Sequence, residues 1–93
     1  MRLTNFEVKS IKDSIYRFDP DAKIILFGSR VDDTKRGGDI DLLVLSEKIT
    51  STERRRIKIN LYDKIGEQKI DMIVTSEITT AFHKIALSEG IEL

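Results

Sequence analysis

Apolar positions along the chain change period several times, and each change marks an element. Val8, Ile11, Ile15 and Phe18 recur at helical spacing, and Thr4 with Glu7 supplies a capping box ahead of them. Pro20 closes this first helix. Lys23-Ile24-Ile25-Leu26-Phe27 is a continuous apolar run that stops at Gly28. It is too short for a helix and reads as a buried strand. A second strand runs from Asp39 to Leu45. Thr50 and Glu53 then form a capping box for a helix carrying Ile57, Leu61 and Ile65, closed by Gly66. Lys69 to Val74 makes a third strand. Ser76 or Thr75 caps a last helix with Ile78, Phe82, Ile85 and Ala86 on one stripe, ending near Gly90. One further helical turn is expected over Ser29 to Thr34. The order is helix, strand, strand, helix, strand, helix. That order predicts an α/β (α+β) domain spanning residues 1–93, with a small mixed sheet of about three strands flanked by helices.

Composition narrows the function. The chain has 93 residues, enough for one small core and too few for a separate substrate domain. Lys and Arg number 16 and so do Asp and Glu, so no overall field draws nucleic acid or an anionic membrane. Direct nucleic-acid binding is not expected. The absence of cysteine excludes disulfides and thiolate metal sites. The apolar runs are too short to span a membrane, and Met1-Arg2-Leu3-Thr4-Asn5 lacks the apolar segment of a secretory signal. A cytoplasmic protein follows as the expectation.

The chemistry concentrates in Phe27-Gly28-Ser29-Arg30 and Gly37-Gly38-Asp39-Ile40-Asp41. On an extended strand Asp39 and Asp41 project from one face, about 6.5–7 Å apart along the chain, while Ile40 and Leu42 project from the other. Two carboxylates so placed suit hard divalent cations such as Mg²⁺, which binds through one or two carboxylates plus substrate phosphates. Gly28 at a strand end permits unusual dihedrals and close backbone approach. The Ser29 and Arg30 amides and the Ser29 hydroxyl can then face an anion. Arg30, Lys35 and Arg36 add positive charge, opposed by Asp32 and Asp33. Asp71 is an isolated carboxylate in the otherwise apolar strand Ile70-Asp71-Met72-Ile73-Val74. A charge there needs compensation, and metal is the natural one. If the third strand lies beside the second, Asp71 joins Asp39 and Asp41 and can accept a proton from an attacking hydroxyl.

Gly28-Ser29, Asp39-Ile40-Asp41 and the lone Asp71 together resemble the signature of the DNA polymerase beta-like nucleotidyltransferase superfamily, in particular its minimal nucleotidyltransferases of the antitoxin type. The resemblance covers most of the chain and implies a polymerase-beta palm-like fold. It also implies that Gly28 and Ser29 bind the phosphates of ATP or another NTP, with Arg30 added as nucleotide-binding on the amide and charge reading above, and that Asp39, Asp41 and Asp71 hold two Mg²⁺ ions and carry catalysis. Two departures stand out: Val31-Asp32-Asp33 replaces the usual Ala-Arg-Gly step, and Gly38 stands where serine commonly precedes the first aspartate. The implied reaction is transfer of NMP, AMP in the antitoxin type, to a hydroxyl. Short stand-alone members often pair with a helical HEPN-domain toxin, whose tyrosine is the implied acceptor. A noncatalytic module that neutralises a partner, or transfer to a small molecule, are the competing readings. Homo-oligomerisation stays open.

The remaining features have plainer readings. Arg54-Arg55-Arg56 with Lys58 reads as a solvated helix face, or else as a contact surface for RNA or an acidic partner. Phe6, Phe18, Phe27 and Phe82 read as core aromatics, and His83 as a boundary residue.

Overall fold

A computed structural model describes residues 1–31 and 39–93, with Ser29 described through its main chain alone. Helix α1 (Asn5–Tyr16) is followed by β1 (Lys23–Phe27), a 3₁₀ turn (Gly28–Val31), β2 (Ile40–Leu45), α2 (Ser51–Ile65), β3 (Ile70–Thr75), α3 (Ala81–Glu89) and β4 (Ile91–Glu92). The four strands form one sheet in the order β3-β2-β1-β4. β1 is antiparallel to β2 and to β4, while β2 and β3 run parallel and are joined by α2 as the crossover. The mixed α+β architecture agrees with the sequence expectation, with one strand more.

Strand alternation divides the apolar residues between the two faces of the sheet. Ile24 and Leu26 of β1, Ile40, Leu42 and Val44 of β2, and Ile70 and Met72 of β3 join Ile11, Ile15, Ile57 and Leu61 in the main core, beneath α1 and α2. Ile25 and Leu43 face the other way, against Ala86 of α3, in a much smaller cluster. The acids belong to this thinly covered face.

Three local expectations change. Thr4 caps α1 with the full reciprocal box: its Oγ1 accepts from Glu7 N at 3.0 Å and its own N donates to Glu7 Oε1 at 2.9 Å. Thr50 is the N-cap of α2, but its side chain makes no bond to the helix backbone. Its hydroxyl bonds the Glu53 carboxylate instead, so the box is not closed. α3 begins later than Ser76 or Thr75: Thr80 is its N-cap, with Oγ1 accepting from His83 N at 3.0 Å, and Ile78 precedes the helix. His83 is half-buried, and its Nδ1 accepts from Thr79 N and Thr80 N. Two of the aromatics are not core: Phe6 is 60% exposed and Phe82 50% exposed, whereas Phe18 and Phe27 pack on the two clusters. β4 has two exposed residues and therefore no periodicity to detect; it is held by Leu93 N donating to Ile24 O at 2.9 Å.

A buried polar pair closes the end of the sheet opposite the acids. Ser46 Oγ donates to Asp19 Oδ2 at 2.6 Å and accepts from Lys48 N and Ile49 N, fixing the turn from β2 into α2. This bond holds the Asp19 carboxyl below the usual carboxylate range. Ser46→Ala should cost about 1.5–3 kcal/mol, the scale of losing a hydrogen bond to a charged group. Thermal denaturation at neutral pH would read it as a fall in Tm. The difference from wild type should narrow in acid, because stability drawn from a depressed carboxyl is lost as pH falls through its folded pKa.

Candidate active site

The register of β2 against β3 assembles the site. Ile40 pairs with Ile70, Asp41 with Asp71 and Leu42 with Met72, so two carboxylates stand side by side on the α3 face. Asp39 precedes β2 by one residue and adds the third. One carboxylate oxygen from each of Asp39, Asp41 and Asp71 lies within 4.8 Å of the others, and all three residues are half-buried. The same alternation that sends Ile40, Leu42, Ile70 and Met72 into the main core turns the acids out of it.

Mutual repulsion is visible in the titration of the central acid. Burial, followed by the charges of Asp71 and Asp39 and a hydrogen bond to Asp71, pushes the Asp41 carboxyl above the ordinary range. Among the described residues compensation comes from Lys69, whose Nζ lies 3.4 Å from Asp39 Oδ2. That contact and the charge of Asp39 raise the Lys69 ammonium in turn. Lys69 is well exposed, so solvent weakens this pairing. The cluster therefore carries net negative charge on oxygen donors alone, and its donor set fits a hard divalent cation.

Gly28 borders the same cluster from the β1 side. Its φ is +76°, and a Cβ there would collide with the Asp41 carboxylate. The left-handed φ requires glycine, and a Cβ would fit only with the Asp41 carboxylate swung aside. The turn behind it is tied to the rest of the molecule through Arg30. Its Nη1 donates to Arg2 O at 3.0 Å and its Nη2 to Gln68 Oε1 at 2.9 Å, and Gln68 Nε2 reaches Glu7 Oε2 at 2.8 Å. Arg30 thus spends its guanidinium on joining the turn to α1 and to the loop before β3. The Ser29 side chain, Asp32, Asp33, Lys35, Arg36, Gly37 and Gly38 lie outside the described residues, as does the part of the expected helical turn beyond Val31.

Sequence reasoning missed Lys69. Its signal was parity, since it precedes Asp71 by two and so shares that face of the extended chain. The arginine run also has more to it than solvation. Arg54 and Arg55, with Lys58, line a concave cleft of about 740 Å³ that also touches Asp41 and Asp71.

A positive-φ glycine turn against an all-oxygen acid cluster is a phosphoryl-transfer donor set, suited to a nucleotide phosphate and the cations that accompany it. The comparison with protein families agrees: the model described as Nucleotidyltransferase domain matches residues 8–93, and the chain belongs to that family. No curated protein matches the chain. Membership makes the protein a transferase at the general level, with an NTP as substrate and a divalent metal as partner. None of the helices among the described residues is long and apolar enough to cross a membrane.

Two outcomes follow. The folded state holds the Asp41 proton more tightly than the unfolded chain does, so ionisation of Asp41 weakens the metal-free fold as pH rises from the ordinary carboxylate range through the raised value. Asp41→Asn should therefore raise the metal-free Tm at pH 7. The scale is that of like charges paired across strands, about 0.2–1 kcal/mol. The gain should vanish below about pH 4, where the native carboxyl is protonated. Calorimetry with and without Mg²⁺ checks this, and the variant should also lose most of the stabilisation that the cation gives wild type. Gly28→Ala should do the reverse, lowering Tm and weakening both Mg²⁺ and nucleotide binding by displacing the Asp41 carboxylate; titration calorimetry reads both.

Proposed function

We propose that residues 1–93 form a single minimal nucleotidyltransferase domain of the cytoplasm that moves an NMP, AMP by preference, from an NTP to a hydroxyl group. The observation that carries this reading is the convergence of Asp39, Asp41 and Asp71 beside Gly28, in a chain that belongs to the nucleotidyltransferase family. In this reading Gly28 and the main-chain amides of Ser29 and Arg30 receive the triphosphate. Asp39, Asp41 and Asp71 would hold two Mg²⁺ ions, which when bound supply charge neutralisation at the phosphates and a lowered pKa at the acceptor oxygen.

The protein's own contribution is position and proton transfer. Asp71 accepts the proton of the acceptor hydroxyl. The acceptor oxygen bonds to the α-phosphorus as the bond to the β-phosphate oxygen breaks, and pyrophosphate leaves. Gly28 and Asp71 flank Asp41 from opposite sides, because β2 lies between β1 and β3. A triphosphate on the Gly28 side and an acceptor on the Asp71 side would be disposed for in-line displacement, and holding the two reactants so is the main source of rate.

The acceptor we propose is a tyrosine of a helical HEPN-domain toxin, which makes this chain the antitoxin of a toxin–antitoxin pair. The acids lie on the thinly covered face of the sheet, where a partner can present its own hydroxyl. Incubation with Mg²⁺, α-labelled ATP and such a partner should label the partner. Asp39→Asn should cut labelling by more than about 100-fold, at or beyond the effect of losing a supporting group around a metal. A folded Asn variant that still transfers label would refute the assignment. Partner binding without any transfer, by a chain with its acids intact, would favour the noncatalytic neutralising module.

A further inference from the structure

The cleft that touches Asp41 and Asp71 passes over the outer edge of β3 and ends against α2. Its α2 wall is built by Ser51, Arg54, Arg55, Lys58, Ile59 and Tyr62. These positions recur every three or four residues and so form one stripe, adjacent to the stripe that buries Ile57 and Leu61. One helix thus turns one face to the core and a second, cationic face to the site.

The cations differ in their ties. Ser46 N and Ile40 N bond Thr75 O and Lys69 O, so the odd-numbered carbonyls of this strand look toward β2. By alternation the main chain of Met72 looks outward from the open edge. Arg54 Nη1 reaches Met72 O at 3.3 Å, which fixes Arg54 over the strand edge. Among the described residues the side chains of Arg55 and Lys58 make no hydrogen bond or ion pair. Two uncompensated cations and a third anchored one therefore face a cleft whose other end holds the carboxylates.

We propose that this cleft seats an acidic peptide segment of the acceptor protein, with Arg54, Arg55 and Lys58 selecting its charge; the proposal rests on the transferase reading above. With the triphosphate on the Gly28 side of Asp41, the acceptor hydroxyl arrives from the Asp71 side, and the chain bearing it must leave along this cleft. Arg54 and Lys58 stand about 6 Å apart along the helix, a distance that two acidic side chains of one segment can match. The occupant is a peptide rather than a polynucleotide because the basic wall is short and interleaved with apolar surface. Ile59 is 55% exposed and Phe82 is 50% exposed, both on the cleft. Arg56, the next cation in the run, is not on that wall. Aliphatic side chains set between glutamates match this pattern, and a continuous phosphate backbone does not. Complementary charge of this kind chooses partners and speeds encounter.

The test is fluorescence anisotropy with a labelled peptide in which a central tyrosine is flanked by glutamates and leucines. It is run with Mg²⁺ and a nonhydrolysable ATP analogue, against the same peptide with lysines in place of glutamates. Wild type should bind the acidic peptide at least about tenfold more tightly, or 1.4 kcal/mol. Arg55→Glu combined with Lys58→Glu should abolish that preference. Both positions are outside the core, and nucleotide binding by the double variant, measured in parallel, should be unchanged. Equal affinity for the two peptides, or a preference that survives the double variant, would overturn the proposal. So would displacement of the acidic peptide by a single-stranded oligonucleotide at lower concentration than by the unlabelled peptide itself. Label transfer from α-labelled ATP to the peptide tyrosine is scored separately. Charge-selective binding without transfer would leave the docking surface standing and remove the transferase reading alone.

Discussion

Parallel pairing of β2 with β3 in one register is the constraint from which the rest of the site follows. It sets Asp41 beside Asp71, and it does so against electrostatics, since neighbouring carboxylates repel and the central one resists ionising. What holds the register is the opposite face. Ile40, Leu42, Ile70 and Met72 are all buried under α1 and α2. A slip of one residue would put the acids into that core and the isoleucines into solvent, a cost of several buried side chains at roughly 1.5–3 kcal/mol each. The hydrophobic core thus specifies the site without touching it.

The β1 side is constrained by a different means. There a left-handed φ requires glycine at residue 28 and any Cβ would displace the Asp41 carboxylate, and the turn is then fastened by Arg30 to main chain before α1 and to Gln68 before β3. Gln68 and Lys69 are sequence neighbours, one bracing the turn and the other facing Asp39. The loop into β3 consequently contacts both the glycine turn and the acid cluster. The acids and the glycine turn are thus held from two directions, by apolar register on one side and by a guanidinium network on the other.

Much of this was legible in the chain because alternation is a strong signal. Asp39, Asp41 and Asp71 announce their face by the apolar residues between them, and Thr4 with Glu7, or Gly66 after Ile65, mark helix ends through chemistry local to a few residues. The failures have equally local causes. Thr75 and Ser76 satisfy the composition of a helix cap, yet Thr80 has the same chemistry and lies where α3 can place Ala86 against Ile25 and Leu43. β4 is stabilised by pairing with β1 rather than by any pattern of its own. Phe82 follows the apolar stripe of α3 but meets the small cluster only through its edge-on contact with Phe27, centroids 5.6 Å apart, and stays 50% exposed. Lys69 and the cationic stripe of α2 acquire meaning only when the crossover brings α2 and β3 to the same edge of the sheet.

That crossover has a consequence for how the protein can change over time. The cationic wall of the cleft, from Ser51 to Tyr62, comes from α2 alone, whereas Gly28 and the acids sit on the strands and their ends. On α2 itself the inward stripe of Ile57 and Leu61 is fixed by burial, while among the described residues the side chains of Arg55 and Lys58 make no hydrogen bond or ion pair and Ile59 is exposed. Drift along that outward stripe is invisible to the core, to the strand register and to the acids. If the cleft takes its acceptor as proposed, a lineage can exchange one partner for another by rewriting a single helical face, keeping its chemistry while its allegiance changes.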